Sequence, residues 1–538
     1  MLSKSVLELP FKKPRKIKII CIGAGYSGIA FAYKVSRELN DVELIIYEKN
    51  AGIGGTWYEN RYPGCACDVP SHSYTFSWAG YPKWTKFWAS ASEILSYLEE
   101  CVQKWDLLQY IQCNHSVMSA KWDRELSKWK LEILNANTNE MFIDTADVVF
   151  NATGSLNRWK WPDINGLNLF RGHVVHSAAW DSSFDFSSKK VLLVGGGPSS
   201  VQILPQLQPI VSSLTFHIRS PLYVTRMFGQ DCSPEGGIYT QDDIAKFALE
   251  PTYLLEHRKK VSATIWGGFD VMRKDSPKQL EARTKVQEDM RRRLEYREDL
   301  CRKLIPTWHL GCKRAVPGIN FLETLLLPNV RVLSGEILQI KENSVITQEA
   351  GEDEYDAIIC ATGFDTSCKP AFPILGRDGV DLREHWSTSV DNYLSVAVHG
   401  FPNYFLGCGP NNPTVLPSIE VAAGYAVQCI RKIQSEGIRS MEATKEAVDD
   451  FMAYKRLFME QMVWTSPCSS WYKGGSRDGD VIGQWVGSPL HYMAALGEPR
   501  FEDYHIDYLH GNRFVYLGSG QTLEEVAGTK LAWYVRRI

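Results

Sequence analysis

The sequence has no apolar run approaching the roughly 18 to 20 residues needed to span a bilayer. The nearest candidate, residues 17–32, is broken by three glycines. Basic residues Lys12, Lys13, Arg15 and Lys16 near the start are followed by no small-residue cleavage pattern, which argues against a signal peptide and for a soluble, cytoplasmic protein with no membrane partner. There is no excess of one charge. Lys plus Arg number 59 against 62 Asp plus Glu, a formal charge of −3 with no basic field to hold nucleic acid. There is no CxxC pair and no regular cysteine spacing. Thirteen scattered cysteines, an odd number, read as free thiols in a reducing compartment. Cys65, Cys67 and His72 offer too few soft ligands for a metal, so none is expected. What the chain has is length and aromatic surface. Its 538 residues require two or three domains, and its 17 Trp suit sites that hold flat ligands.

Residues 17–22 (IKIICI) form a short β-rich run, followed at once by Gly23, Ala24, Gly25, Tyr26, Ser27 and Gly28 and a helical pattern to about Leu39. This is GxGxxG in the strand-turn-helix context that binds a dinucleotide. Gly23 permits the turn, Gly25 lets the backbone approach a pyrophosphate, and Gly28 lets helix and strand pack closely. A second strand, 42–47, ends in Glu48, twenty residues after Gly28, where a carboxylate accepts hydrogen bonds from a ribose diol. Gly54, Gly55, Thr56 and Trp57 form a second glycine turn suited to the same ligand, inferred to be FAD.

Residues 190–194 (KVLLV) precede Gly195, Gly196, Gly197, Pro198, Ser199 and Ser200, a second GxGxxG-type turn with Ser200 at the third glycine position. The following strand, 213–218, ends in Arg219, with Ser220 beside it, nineteen residues beyond Ser200. A guanidinium where the first site has an acid pairs with a 2′-phosphate and selects NADPH. Two such sites imply electron flow from NADPH to a flavin. The predicted fold is α/β, with two Rossmann-like dinucleotide-binding domains, for FAD and NADPH, and a helical insertion in the latter. Residues 1–152 and 385–538 are expected to form the FAD-binding domain and 153–384 the NADP-binding domain, with the insertion at about 234–310 and a mobile loop near 469–480. Residues 419–433 read as a helix, 513–517 as a late strand, and Trp266 to Phe269 as a break in the helical pattern, either a substrate entrance or a helix-helix turn.

Between the two turns, Phe170, Gly172, His176, Trp180 and Asp181 match every specified position of FxGxxxHxxxW(P/D). This resembles the fingerprint of the type I Baeyer–Villiger monooxygenases. Residues 54–70, 151–154 (NATG), 361–365 (ATGFD) and 408–411 (CGPN) are similar to further segments of that family, and residues 478–492 look most like its fungal secondary-metabolism members. The resemblance implies insertion of one oxygen atom beside a ketone by way of a flavin C4a-peroxide, with ketone and O₂ as substrates. It implies that Arg314 is the catalytic arginine, that Asp68 positions it and touches the flavin side, and that Lys313 joins Arg219 at the 2′-phosphate. By the same resemblance Trp471 folds over the NADP, and His176 organises the linker rather than transferring protons. An N- or S-oxygenating flavin monooxygenase is the alternative, and a flavin-dependent disulfide or quinone reductase a more distant one.

Overall fold

The structure is a computed structural model that describes residues 7–413, 416–532 and 534–535. Its framework is two five-stranded parallel sheets. In the first, the order across the sheet is Tyr404–Leu406, Val148–Asn151, Ile17–Ile22, Val42–Tyr47 and Ile111–Gln112. In the second it is Val330–Ser334, Ser213–Ile218, Lys190–Val194, Ala357–Cys360 and His173–His176. Parallel strands are covered on both faces, which is why they read as continuous apolar runs rather than alternating ones. Ile19, Ile20 and Cys21, and likewise Val191, Leu192 and Leu193, are fully buried.

In each sheet the strand that feeds the glycine turn lies between two parallel neighbours whose connections run to opposite sides. This is the crevice outside the carboxyl ends where α/β sheets bind ligands. Helix Tyr26–Glu38 covers the first sheet, and Phe31 stacks on Phe150 with ring centroids 3.9 Å apart. Helix Leu416–Ser435 packs against Tyr26–Glu38, where Arg431 pairs with Glu38. The first sheet and its helices therefore draw on both ends of the chain.

Four helices, Gln241–Leu249, Pro251–Trp266, Pro277–Arg293 and Glu298–Leu304, lie between strands Ser213–Ile218 and Val330–Ser334. Thr240 and Ser276 cap the first and third, and Gly267 and Gly268 end the second. Trp266 to Phe269 is thus a helix end followed by a 3₁₀ turn.

Two sequence expectations are corrected. Residues 513–517 are not a strand: Val515–Leu517 form a 3₁₀ turn with Phe514 and Leu517 exposed. The segment sits between the left-handed turns at Gly511 and Gly518, and it is Tyr504–Tyr508 that pairs with Ile438–Ala443. Nor are all the cysteines free. Cys312 and Cys468 form a disulfide across 156 residues, and the other eleven are unpaired. A bridge of that span leaves no trace in local spacing.

Among the described residues no helix is long and apolar enough to cross a membrane, and no three His, Cys, Asp or Glu side chains group as metal ligands. His72 lies buried beside the rings of Tyr239, Phe247 and His257.

Candidate active site

The first glycine turn is shaped by close approach. Gly23 has φ +103°, and a Cβ on Gly28 would stand 2.0 Å from the Gly23 carbonyl oxygen, so a larger residue at position 28 would force helix from strand. No side chain caps helix Tyr26–Glu38 at Gly25, which leaves its first N–H groups and positive dipole end for a phosphate. Gly55 closes over the turn, a Cβ there meeting the Gly25 Cα at 3.2 Å, so the two glycine turns form one cradle. Thr56 and Trp57 open the short helix that follows, with Thr56 exposed and Trp57 buried. Glu48, 4% exposed, accepts the Ala24 N–H at 2.8 Å and the Asn50 N–H at 2.9 Å, at the end of its strand as expected.

Residues 407–411 complete this side. Gly407 packs against Ser27 of the turn, and both side-chain amide atoms of fully buried Asn411 lack a protein partner among the described residues. A donor and an acceptor side by side in a buried position fit the imide edge of an isoalloxazine. These residues fit FAD.

The second turn is looser. Ser200 is fully buried, and its Oγ donates to the Gly195 carbonyl at 2.6 Å and accepts the Gly197 N–H at 3.2 Å. The hydroxyl thereby ties the turn where a third glycine would have let it close further. Ser199 reaches Tyr62 of the flavin-side loop. At the end of the next strand, Arg219 is exposed, and Lys313 Nζ lies 3.5 Å from Ser220 Oγ. Burial, and then the neighbouring Arg219, hold the Lys313 amine below its usual lysine value. Among the described residues no carboxylate pairs with either cation. Two adjacent cations without an acid fit the 2′-phosphate of NADPH.

Arg314 is brought to the flavin side. Its Nη2 donates to Asp68 Oδ2 at 2.5 Å, and the Asp68 charge holds the guanidinium still further toward its protonated form. Tyr74 and Tyr472 flank the pair, and Trp57 meets Tyr74 edge-on at 5.5 Å. Tyr472, Tyr74 and the disulfide carry no motif of their own, although Tyr472 adjoins Trp471 and Cys312 precedes Arg314 by two residues; Asn411 closes the family-like segment 408–411, which says nothing of its role. Trp471 begins a 3₁₀ turn capped by Ser470, with its ring 4.4 Å from that of Tyr472 and against Gly483. Phe269, from the proposed entrance, faces Trp464 at 6.4 Å. A cavity of about 900 Å³ opens beside this region, with Trp57, Tyr62, Cys67, Trp88, Met227 and Ile319 in its wall.

The fingerprint stands apart from this pair. His173–His176 is the edge strand of the second sheet, and none of Phe170, His176, Trp180 or Asp181 bonds to Arg314 or Asp68. Gly172 sits tight against the Phe170 ring, Trp180 stacks on Phe186, and Asp181 accepts from Ser183. His176 accepts the Ala178 N–H, reaches Thr362 at 3.3 Å and stacks on Trp159; burial pushes its pKa down to about 4. A neutral imidazole between Trp159 and Thr362 joins the two segments that cross between the sheets.

Two parallel sheets, each with a dinucleotide turn, and an arginine–carboxylate pair on the flavin side define an NADPH-dependent flavin monooxygenase. Residues 21–91 match the family of NAD(P)-binding Rossmann-like domains. The chain is 37% identical to the FAD-binding monooxygenase tazF of Aspergillus terreus, over 97% of this chain and 95% of that protein. It is 31% identical to a Baeyer–Villiger monooxygenase of Pseudomonas aeruginosa, over 85% of each. Its fold matches the crystal structure of cyclohexanone monooxygenase from Rhodococcus sp. Phi1 bound to NADP⁺, with a TM-score of 0.78, 25% identity, and coverage of 92% of this chain and all of that one. The chain belongs to the Baeyer–Villiger monooxygenases, which use FAD and NADPH.

Proposed function

We propose that this enzyme converts a ketone, O₂, NADPH and a proton into an ester or lactone, NADP⁺ and water, with Arg314 and Asp68 at the reacting centre. The observation that carries the reading is the Arg314–Asp68 pair, set on the flavin side of a chain that also presents two unpaired cations to a phosphate. When bound, FAD takes a hydride from NADPH and activates dioxygen.

Around it the side chains bind, orient and neutralise. Arg219 and Lys313 hold the 2′-phosphate, with Gly195, Gly197, Ser199, Ser200 and Ser220 shaping the bed. Glu48 accepts from the flavin nucleotide's ribose, and the uncapped helix at Gly25 faces its pyrophosphate. Arg314 presents a permanently charged fork to the oxygen that attacks the carbonyl and then to the oxyanion of the adduct. Because a guanidinium beside Asp68 stays protonated across the working pH range, it stabilises the anion without giving up its proton. Trp471, on its turn beside Tyr472, would fold over bound NADP and exclude water. The cavity that reaches Trp57 and Cys67, next to Asp68, offers a way in toward this centre. The ketone is a secondary metabolite, a reading supported by the resemblance of residues 478–492 to fungal secondary-metabolism members of the family.

The test is a panel of small and polycyclic ketones, with a thioether and an amine alongside, assayed for product, O₂ uptake and NADPH use. Ester from at least one ketone is expected. Sulfoxide or N-oxide with no ester from any ketone would move the assignment to the N- or S-oxygenating class.

A further inference from the structure

The segment carrying Lys313 and Arg314 and the segment carrying Trp471 and Tyr472 are far apart in sequence yet joined at several points. The Cys312–Cys468 disulfide lies two residues before Arg314 and three before Trp471, and both cysteines are buried. His309 Nδ1 and Ser466 Oγ are 2.7 Å apart. A Cβ on Gly311 would meet Val463 Cγ2 at 3.3 Å, so the backbone of one segment lies directly on the side chains of the other. Tyr472 is buried beside Arg314, whose guanidinium donates to Asp68.

We propose that the Cys312–Cys468 disulfide fastens these two segments so that Tyr472 holds Arg314 against Asp68, making Cys312, Cys468 and Tyr472 positioning residues for oxygen insertion. The proposal rests on the reading of Arg314 as the catalytic arginine. An arginine side chain has several free torsions, and fixing it in one geometry is entropically costly unless its surroundings are already fixed. A displacement of about 1 Å at a reacting centre costs about a hundredfold in rate, so a tether two residues from Arg314 acts where precision matters most. It also ties Trp471, three residues beyond Cys468, to the same centre. The bond forms by exchange: two cysteine thiols and one small-molecule disulfide give the protein disulfide and two small thiols. A water-soluble phosphine reverses it. Phosphorus is oxidised to the phosphine oxide with oxygen from water, and the two protons of that water go to the two sulfurs.

The experiment uses the FAD-loaded enzyme. Peptide mapping after alkylation without reductant is expected to recover Cys312 joined to Cys468. Phosphine-treated enzyme, freed of phosphine before assay, and Cys468→Ala are each expected to yield about tenfold less ester per NADPH, with hydrogen peroxide in its place, while flavin reduction by NADPH stays within about twofold. Glutathione disulfide should restore the treated wild type and leave Cys468→Ala unchanged. Tyr472→Phe, with the bridge intact, should show the same shift from ester to peroxide. Two alkylated thiols after glutathione disulfide treatment, or unchanged ester per NADPH after reduction, would overturn the proposal. Should Cys468→Ala fail to fold, the reduced and reoxidised wild type still decides it. Arg314→Ala separates the two levels. If it still makes ester, the reading of Arg314 is wrong; if it makes none while the reduced enzyme is fully coupled, only the tether is wrong.

Discussion

Arg314 and Asp68 share one bond but do different work, and conservative substitutions separate them. Arg314→Lys keeps the charge and loses the planar fork, so it should reduce flavin normally while losing oxygenation by about a hundredfold, read by stopped-flow reduction beside product yield. Asp68→Asn leaves the guanidinium charged but unanchored, with a smaller loss, about tenfold, in the same step. Arg219→Ala should weaken NADPH by about 1–3 kcal/mol and NADH hardly at all; equal losses for both would remove it from the 2′-phosphate. These residues differ in how they could be read beforehand. Arg219 follows from strand, glycines and spacing. Arg314 and Lys313 have no local signal in their own right, and only the family pattern singles them out. Tyr472 has neither, and Asn411 enters only as the last residue of the family-like segment 408–411, because what matters about both is a contact or a missing partner created by tertiary folding.

Among elements, the strand-turn-helix units were the most legible. The runs at 17–22, 42–47, 190–194 and 213–218 are strands with those same bounds: the first and third run straight into glycine turns, and the other two are apolar runs that pair in parallel beside them. The run at 513–517 shows the limit of that signal: similar apolar residues make a turn when no neighbouring strand accepts them. The two glycine turns also make a paired prediction. Gly28→Ala should abolish FAD retention, since its Cβ would collide with the Gly23 carbonyl, measured as flavin content after purification. Ser200→Ala should keep the fold and cost about 1 kcal/mol, the net worth of its hydroxyl bond, measured by denaturant unfolding.

For the molecule as a whole, acid is the vulnerable side. Burial holds His72, His173, His176, His217, His257 and His385 below the ordinary histidine value. A group whose folded pKa is depressed binds more protons in the unfolded chain, so stability is lost as pH falls. For His176 that window runs from 6.5 down to about 4. The melting temperature should drop through that range at constant ionic strength, and His176→Gln should flatten part of the slope. A melting temperature independent of pH there would contradict the burial of neutral histidines as the cause.

The way the first sheet is threaded bears on how the protein is made. The second sheet has all five strands once residue 360 has emerged, whereas the first waits for Tyr404–Leu406 and for helix Leu416–Ser435. On the ribosome, the inner, NADPH-side half can therefore close first, and the flavin cradle is finished only by the later chain. A nascent or truncated polypeptide would hold the electron donor's bed without the group that passes those electrons to oxygen.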